Sequence, residues 1–374
     1  MAFISRYPRF THWQRLGRLN LWIIALLTVI ASIGFLMLYS AANGNLHPWA
    51  SKQILRFMVG LVIMVGVSLV DMRTWLTVAY PFYAIALLLL IGVEVMGLVG
   101  MGAQRWIDLY VINLQPSEIM KIALILTLAR YFHVLDPKEI CKLRTLLTPI
   151  VLIVLPILLV MRQPDLGTAL IIVLSSCAIF WVAGVRRWKF IAAGSFILGA
   201  IPFLWPFLRE YQKKRIFVFL NPESDPLNSG YHILQSKIAL GSGGLFGKGF
   251  LQGSQSHLSF LPEKQTDFIF TMLCEEFGFL GGLLVLTLYT ILLVYGFGVA
   301  LNSRSQFSRL VVIGVTTTLF LYVFINVAMV MGLLPAKGLP LPLISYGGTA
   351  MLTVLFGQGL IFSAALYRDV RIGH

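Results

Sequence analysis

Charged residues are scarce in this chain: only 12% of its 374 residues are Asp, Glu, Lys or Arg. Soluble globular proteins carry about 25% charged residues, so the composition excludes a soluble fold. Cysteine is also rare, with three residues and no CxxC pair, and we therefore expect no disulfide and no zinc site. Linkers and low-complexity segments that would divide the chain into domains are missing as well.

Hydrophobic residues take the place of the missing charges, at 58% of the chain, with a mean hydropathy of +0.85. This composition predicts an all-α polytopic membrane protein, because an apolar run of about 20 residues can cross the hydrocarbon core as a helix. Such runs lie near residues 20–41, 54–70, 75–99, 116–133, 146–161, 166–184, 190–208, 267–300, 310–332 and 348–367. We therefore expect about ten transmembrane helices in a single membrane domain, residues 1–374, with a long extracytoplasmic loop, 209–266, between the seventh and eighth.

Lysine and arginine are divided unequally between the two sides of this arrangement. Four arginines precede the first run, which we interpret as an uncleaved span. Of the 29 Lys and Arg, sixteen fall on the side of the termini and six on the other side outside the long loop. The positive-inside rule then predicts cytoplasmic termini and an external 209–266 loop. The net charge of +14 suits anionic membrane lipids and does not argue for nucleic acid.

Four of the spans begin on the outer side next to a proline: Pro116, Pro164, Pro262, and Pro340 with Pro342. Proline is tolerated in the first turn of a helix, so helix initiation explains each of them alone. Together, however, four outward helix N-termini present unpaired amides and positive dipole ends to one surface. That surface would suit an anionic ligand such as a phosphate.

Polar side chains near these helix starts are candidate substrate-binding residues: Arg105, Trp106, Gln115, Ser117, Glu118, Lys121, Asp165 and Ser345. Several of these residues could instead have a purely structural role. Glu118 and Lys121 share a helix face and can neutralise each other, Asp165 can cap a helix, and Trp106 with Arg105 can anchor the chain at the membrane interface. The residues alone leave both interpretations open.

The long loop contains a glycine run, GSGGLFGKG at 241–249, that is similar to a phosphate-binding loop. The pattern needs a glycine where Ser242 stands and Ser or Thr where Gly249 stands, and no GxGxxG register fits. We therefore expect a flexible loop and no organic cofactor. Lys237 and Lys248 remain candidate contacts for an anionic ligand, and residues 231–240 predict a short amphipathic interfacial helix.

Asp267 stands where the eighth apolar span begins, in LPEKQTDFIF at 261–270. A charged carboxylate there is costly, so it is a candidate functional residue. Glu263 lies four residues earlier and would share a face with Asp267 if the helix were continuous. The deeper Asp267 suits a general base, and Glu263 suits a rim or metal-supporting carboxylate. Capping of the eighth helix by Asp267 is an equally good interpretation of the residues alone.

Several long motifs, in order, resemble the SEDS (shape, elongation, division and sporulation) membrane proteins from about Leu19 to Tyr367. They are GAQRWIDL, QPSEIMKIAL, QPDLGTAL, NPESDPLNSGYHILQSKIALGSGGLFGKG, LPEKQTDFIF and LPLPLISYGG. The PESDPL and GYHILQSKIA runs favour the rod-shape branch over the division branch. By motif match, the essential acid of the family falls on Asp267, and its paired intramembrane charges on Glu118 and Lys121. Gln265 departs from the histidine common in relatives.

The resemblance implies a peptidoglycan glycosyltransferase of the bacterial inner membrane, with its active site facing the periplasm. Such an enzyme polymerises lipid II, the undecaprenyl-pyrophosphate disaccharide, into β-1,4 glycan strands for cell elongation and rod shape. It works with a class B penicillin-binding protein, a transpeptidase. A donor that is α-linked and a product that is β-linked require one inverting displacement with one base, and a Mg²⁺ or Mn²⁺ ion could stabilise the pyrophosphate.

Two other functions compete with this one. A lipid II flippase would also need polar groups inside a helix bundle, but it predicts interrupted helices that meet at the midplane. A scaffold for partner proteins would leave Asp267, Glu118 and Lys121 without a role.

Overall fold

The computed structural model describes most of the chain. The described residues are 17–100, 103–108, 113–136, 138–140, 142–204, 206, 210, 213, 217–219, 221, 229–257, 263–335 and 338–369. Several features of the sequence lie outside them: the arginines before Arg18, Cys141, Pro262, the PESDPL run and other parts of the predicted 209–266 loop. Cys177 and Cys274 are free thiols.

Helices dominate the structure, and ten long ones occupy the ten predicted ranges, with ends within four residues of those predicted. The helices in chain order are α1 Leu21–Ala41, α2 Ala50–Leu69, α3 Met72–Met96, α4 Pro116–Val134, α5 Leu143–Arg162, α6 Leu166–Ala183, α7 Arg187–Leu204, α8 Ser229–Ser242, α9 Ser254–His257, α10 Ile269–Asn302, α11 Gln306–Val330 and α12 Gly348–Leu366. The short helix predicted at 231–240 is present as α8, and its position at the membrane interface stays a prediction.

Eight of the ten long helices are long and apolar enough to cross a membrane, which supports the predicted all-α polytopic fold. The other two are α4 and α7. Three charged residues, Glu118, Lys121 and Arg130, lie in α4, and α7 is exposed on most of its surface. The number of crossings, ten, and the sides on which the loops lie stay predictions.

The ends of several helices follow from local sequence. Asn20 caps α1 by accepting a bond from the Trp22 amide, and Asp71 caps α3 in the same way through the Arg73 amide. A side-chain oxygen at this position satisfies an amide that the helix leaves unpaired. Gly184 ends α6 in the left-handed conformation, where an L side chain would be strained.

The centre of the bundle is formed by α4 and α11, whose residues are mostly apolar and which are buried on nearly all sides. Glycines bring the surrounding helices close. A Cβ on Gly359 of α12 would lie 2.7 Å from the Met64 carbonyl oxygen of α2, and one on Gly34 of α1 would lie 2.6 Å from the Ile344 Cα. Small residues permit this approach between membrane helices.

A small antiparallel sheet between α3 and α4 was not predicted. Its strands are β1 Leu98–Gly100, β2 Ala103–Asp108 and β3 Asn113–Leu114, paired in the order β1-β2-β3. Strands of two to six residues are too short to show the alternation of polar and apolar residues that identifies a strand. The sheet matters because β2 carries Arg105 and Trp106.

The helix α10 is broken at Gly278, whose φ of 68° and ψ of −165° are not helical. The glycine run 241–249 packs into this break, so it is not the open flexible loop that we expected. The Phe279 amide donates to Gly244 O at 2.9 Å, and the Lys248 amide donates to Glu275 O at 3.0 Å. The run thereby satisfies backbone groups that the break frees. A Cβ on Gly247 would lie 2.1 Å from Glu276 O, which explains the glycine.

Candidate active site

Asp267 lies in a turn before α10 and does not cap it. The helix begins at Ile269, with Phe268 at the N-cap position and no side-chain capping bond. Residues 263–268 form consecutive turns, so Glu263 and Asp267 are not on one face of a continuous helix. Glu263 has a φ of 52°, a left-handed conformation that is uncommon outside glycine. The capping interpretation of Asp267 is therefore wrong, and so is the shared helix face.

Ser345 holds this turn in place. Its buried hydroxyl donates to Thr266 O at 2.5 Å and accepts from the Leu341 amide at 2.7 Å. The Tyr346 amide donates to Gln265 O at 2.8 Å. Ser345 was a candidate substrate contact, and the structure gives it protein partners on both sides, so we assign it a positioning role.

Two further groups fix Asp267 itself. The Asn326 side-chain amide of α11 donates to Asp267 O at 3.0 Å and to Leu339 O at 2.8 Å. Gly338 lies so close that a Cβ there would be 3.1 Å from Asp267 Oδ2. Within the described residues, no hydrogen bond or ion pair is recorded to the Asp267 carboxylate. The backbone of this residue is thus fixed while its carboxylate stays available.

The surroundings raise the pKa of Asp267 from its usual 3.8 to about 7. Burial is the largest cause, because it disfavours the charged form. The negative charge of Glu263 raises the pKa further, the positive charge of Arg105 lowers it, and the negative charge of Asp165 raises it. These three predicted site residues are therefore near enough to act on Asp267. A carboxylate that titrates near neutrality can take up and release a proton at working pH.

Arg105 and Asp165 are themselves held by the chain. Arg105 donates through Nε to Gln163 O at 2.9 Å and through Nη2 to Pro164 O at 2.6 Å. Asp165 caps α6, as predicted for its structural role, by accepting from the Thr168 amide at 3.1 Å. Gln115 Nε2 donates to Asp165 Oδ2 at 3.4 Å, which brings the predicted Gln115 to the same cluster.

The predicted pair of intramembrane charges is present in α4. Lys121 Nζ lies 2.7 Å from Glu118 Oε1, and both side chains are almost fully buried. The Tyr322 hydroxyl donates to the same Glu118 oxygen at 2.6 Å, and Lys121 Nζ lies 4.2 Å from the centre of the Tyr322 ring. Ser117 is buried at the start of the same helix. Unlike Asp267, this carboxylate has its partners within the protein.

Among the described residues, the other predicted cations make no hydrogen bond or ion pair with Asp267. Lys248 pairs with Glu275 at 2.8 Å, at the break in α10. Lys237 is exposed on α8, with its side chain against Gly332. Trp106 is half-buried in β2 beside Arg105.

Two cations that sequence reasoning missed lie near the turn. Arg56 of α2 stacks on Tyr346, with its Cζ 4.7 Å from the ring centre, and packs against Gly348 at the start of α12. Its buried Nη1 has no hydrogen-bond partner within the described part of the chain. Lys264 lies in the turn itself, and burial lowers its pKa. The motif LPEKQTDFIF could have indicated Lys264, whereas only the fold brings Arg56 here.

A metal site made of protein side chains alone is not found among the residues described. No group of three or more His, Cys, Asp and Glu side chains there could hold a metal ion. Mg²⁺ commonly binds through one or two carboxylates and the phosphates of a substrate. Glu263 and Asp267 are the two carboxylates available in the turn for that mode.

Comparison with known proteins finds likeness over nearly the whole chain. The family model for cell cycle proteins of the FtsW, RodA and SpoVE group matches residues 18–369. The peptidoglycan glycosyltransferase MrdB of Escherichia coli (strain K12) is 41% identical over 364 residues, which is 96% of each chain. Stage V sporulation protein E of Bacillus subtilis (strain 168) is 36% identical and covers 93% of this chain and 97% of its own.

Solved structures show the same fold. The rod shape determining protein RodA of Thermus thermophilus superposes with a TM-score of 0.71 at 28% identity, over 94% of this chain and 98% of its own. A chain from a peptidoglycan synthase complex that coordinates polymerization and crosslinking superposes with a TM-score of 0.81 at 30% identity, over the same shares.

Proposed function

We propose, from the premise that this chain belongs to the cell cycle protein family of FtsW, RodA and SpoVE, that Asp267 is the general base of a peptidoglycan glycosyltransferase. Relatives of this family carry that enzyme name at 41% identity over 96% of the chain. One observation supports the catalytic assignment. The backbone of Asp267 is fixed by Asn326, while its carboxylate has a pKa raised to about 7 and has no partner among the described residues.

The substrate that we propose is lipid II. In the site, the end of a growing glycan strand would meet the disaccharide of one lipid II molecule. The acceptor 4-hydroxyl attacks the anomeric carbon of the donor sugar, and Asp267 takes the hydroxyl proton. The anomeric bond to pyrophosphate breaks, and the pyrophosphate leaves with the electron pair. Attack from the opposite face converts the α-linked donor into a β-1,4 product. A positioned base contributes roughly 10²–10⁴ in rate to such a step.

The leaving pyrophosphate needs charge stabilisation more than it needs a proton. Arg105 is the best candidate for this role, because its positive charge already acts on Asp267. Arg56 is a second candidate, because its stacked guanidinium lies at the N-terminus of α12. The charge of the guanidinium and the positive end of the helix dipole would act there together. Lys121 and Lys248 are less suited, since each is already paired with a carboxylate.

A divalent cation, in this proposal, would arrive with the pyrophosphate and would not reside on the free protein. Glu263 would be its protein ligand, the ion would neutralise the phosphates, and Asp267 would stay available to take the proton. We expect a chelator to abolish polymerisation while metal analysis of the purified protein finds less than one equivalent. A stoichiometric ion that survives purification would contradict this arrangement.

The orientation and partner follow the same reasoning. We propose that both termini lie in the cytoplasm of a bacterium and that Asp267 faces the periplasm, at the level of the outer leaflet of the inner membrane. The distribution of Lys and Arg supports this orientation. We also propose a class B penicillin-binding protein as partner, because a similar chain comes from a complex that couples polymerization to crosslinking.

The flippase is the weaker function. The break in α10 at Gly278 is filled by the glycine run and its backbone bonds, so it does not present an empty ion or substrate site. The enzyme names of the relatives favour catalysis as well.

The substitution Asp267→Asn tests the catalytic assignment. The amide keeps the size of the side chain and the Asn326 bond to the backbone, but it cannot accept the proton. We expect purified variant protein, reconstituted with lipid II and its partner, to fold and to lose roughly 10²–10⁴ in polymerisation rate. Gel separation of labelled glycan strands measures this loss. Asp71→Asn, at a helix cap away from the site, serves as the matched control. Wild-type polymer from the Asp267 variant would remove the assignment.

A further inference from the structure

A cavity lies at the end of the bundle opposite Asp267. It has a volume of about 550 Å³ and opens between the start of α1, the last turns of α10 and the end of α12. From Phe279 to Gly298, which lines the cavity, α10 runs for roughly 30 Å at 1.5 Å per residue. The cavity is thus a membrane thickness away from the candidate active site, in the size range of ligand-binding pockets. We refer to it as the far cavity.

The mouth of the far cavity is basic. Arg18 and Arg368 line it and are exposed. Arg304 adjoins it through Asp369, with Arg304 Nε 3.5 Å from Asp369 Oδ1 and Arg368 Nε 3.6 Å from Asp369 Oδ2. One carboxylate shared by two arginines leaves the group with excess positive charge. Guanidinium groups in this number favour a phosphate, because each can donate two parallel hydrogen bonds to it.

Apolar side chains form much of the wall of the far cavity, beside the polar Asn20, Tyr295 and Asn302. Its inner wall includes Val299, Leu366 and the buried ring of Phe362. At the same level of α10, Val294 and Leu301 are largely exposed on the surface of the bundle, as residues that face lipid chains are. A ligand that fits must therefore carry an anionic head and a hydrocarbon body.

We propose that the far cavity binds an anionic phospholipid, with the phosphate of the headgroup between Arg18 and Arg368 and the glycerol end of the chains against Phe362. Basic pockets between transmembrane helices are known as sites for anionic headgroups. Such a lipid would join α1, α10 and α12, so that the composition of the membrane influences how the bundle is held together at this end. This site takes no part in the proposed glycosyl transfer.

Native mass spectrometry of the full-length protein with added phosphatidylglycerol or phosphatidylcholine tests the charge requirement. We expect wild-type protein to retain phosphatidylglycerol selectively. The double variant Arg18→Ser with Arg368→Ser should lose about fivefold in affinity for each arginine, roughly 25-fold together. Arg144→Ser removes an exposed arginine at the same end of the bundle and should change nothing. Equal phosphatidylglycerol retention by the double variant and this control would overturn the proposal.

The substitution Gly298→Leu tests the cavity separately from its charge. Gly298 lines the cavity, and an added Cβ there meets no atom within 4 Å, so the substitution adds volume at the cavity wall without a clash at the Cβ. We expect loss of bound phosphatidylglycerol with all arginines intact. Gly66→Leu, where a Cβ also meets nothing within 4 Å, is the control. Inorganic phosphate at millimolar concentration should not displace the lipid. Displacement would show a site for free phosphate and would contradict the lipid assignment.

Discussion

Two acidic side chains near the C-terminal part of α11 have opposite surroundings. Glu118 has a cation at 2.7 Å and a tyrosine hydroxyl at 2.6 Å on the same oxygen. Asp267 has its backbone carbonyl bonded to Asn326, but no recorded partner for its carboxylate among the described residues. Tyr322 and Asn326 are four residues apart on α11, so one helix supports both sites. The difference shows that burial alone does not identify a base, because the described residues pair one buried carboxylate and leave the other without a side-chain partner.

The largest effect that should separate the two sites is on stability. We expect Glu118→Ala to lower the free energy of unfolding by about 3–5 kcal/mol, because it leaves Lys121 buried without its carboxylate. Thermal unfolding in detergent measures the change, with Asp267→Ala as the comparison, which should be far milder.

The double variant Glu118→Gln with Lys121→Met checks the cause of that loss. It removes both charges but keeps an amide oxygen for the Tyr322 hydroxyl. Most of the lost stability should return, since removing a whole buried ion pair costs less than removing one partner. A stability as low as that of Glu118→Ala alone would mean that the charges are not the reason.

The next effect is on pH dependence. A base must be deprotonated, so the raised pKa of Asp267, about 7, predicts that the polymerisation rate falls tenfold for each pH unit below that value. Glu263→Gln removes a charge that raises this pKa and should shift the acid limb to lower pH. Arg105→Met removes a charge that lowers the pKa and should shift the limb to higher pH.

Rate profiles of kcat/KM against pH measure both shifts. Asp71→Asn is the control, because its charge is not among the causes that act on Asp267. Shifts of the same sign in the Glu263 and Arg105 variants would contradict the electrostatic account.

Much of the fold follows from sequence because each long helix corresponds to one local run of hydrophobic residues. The Glu118 pair was also predictable, since three residues on a helix fix the distance between the two side chains. The Asp267 site was predictable only as a residue. Its turn is held by Ser345, Asn326 and Gly338, which lie about 60–80 residues away in sequence, and no local pattern reports such contacts.

The broken helix α10 illustrates the same limit. Residues 267–300 predict one continuous span, because the run is mostly apolar and contains no proline. The break at Gly278 depends on a partner 30 residues earlier, the glycine run, which supplies hydrogen bonds that a lone helix break would lack. The sequence showed the glycines but not the surface into which they fit.

The smallest effect tests how finely Asp267 is positioned. At Gly338, a Cβ would lie 3.1 Å from Asp267 Oδ2, so Gly338→Ala should push the carboxylate by a few tenths of an ångström. Misplacement by 1 Å can cost about 10²-fold in rate, and we expect a loss of about tenfold in kcat with unchanged thermal stability. Gly66→Ala, where the added Cβ meets nothing within 4 Å, should leave both unchanged. A rate loss confined to Gly338→Ala would show that Asp267 depends on its exact place, whereas an unchanged rate would mean that the turn adjusts and the fixed geometry is not required.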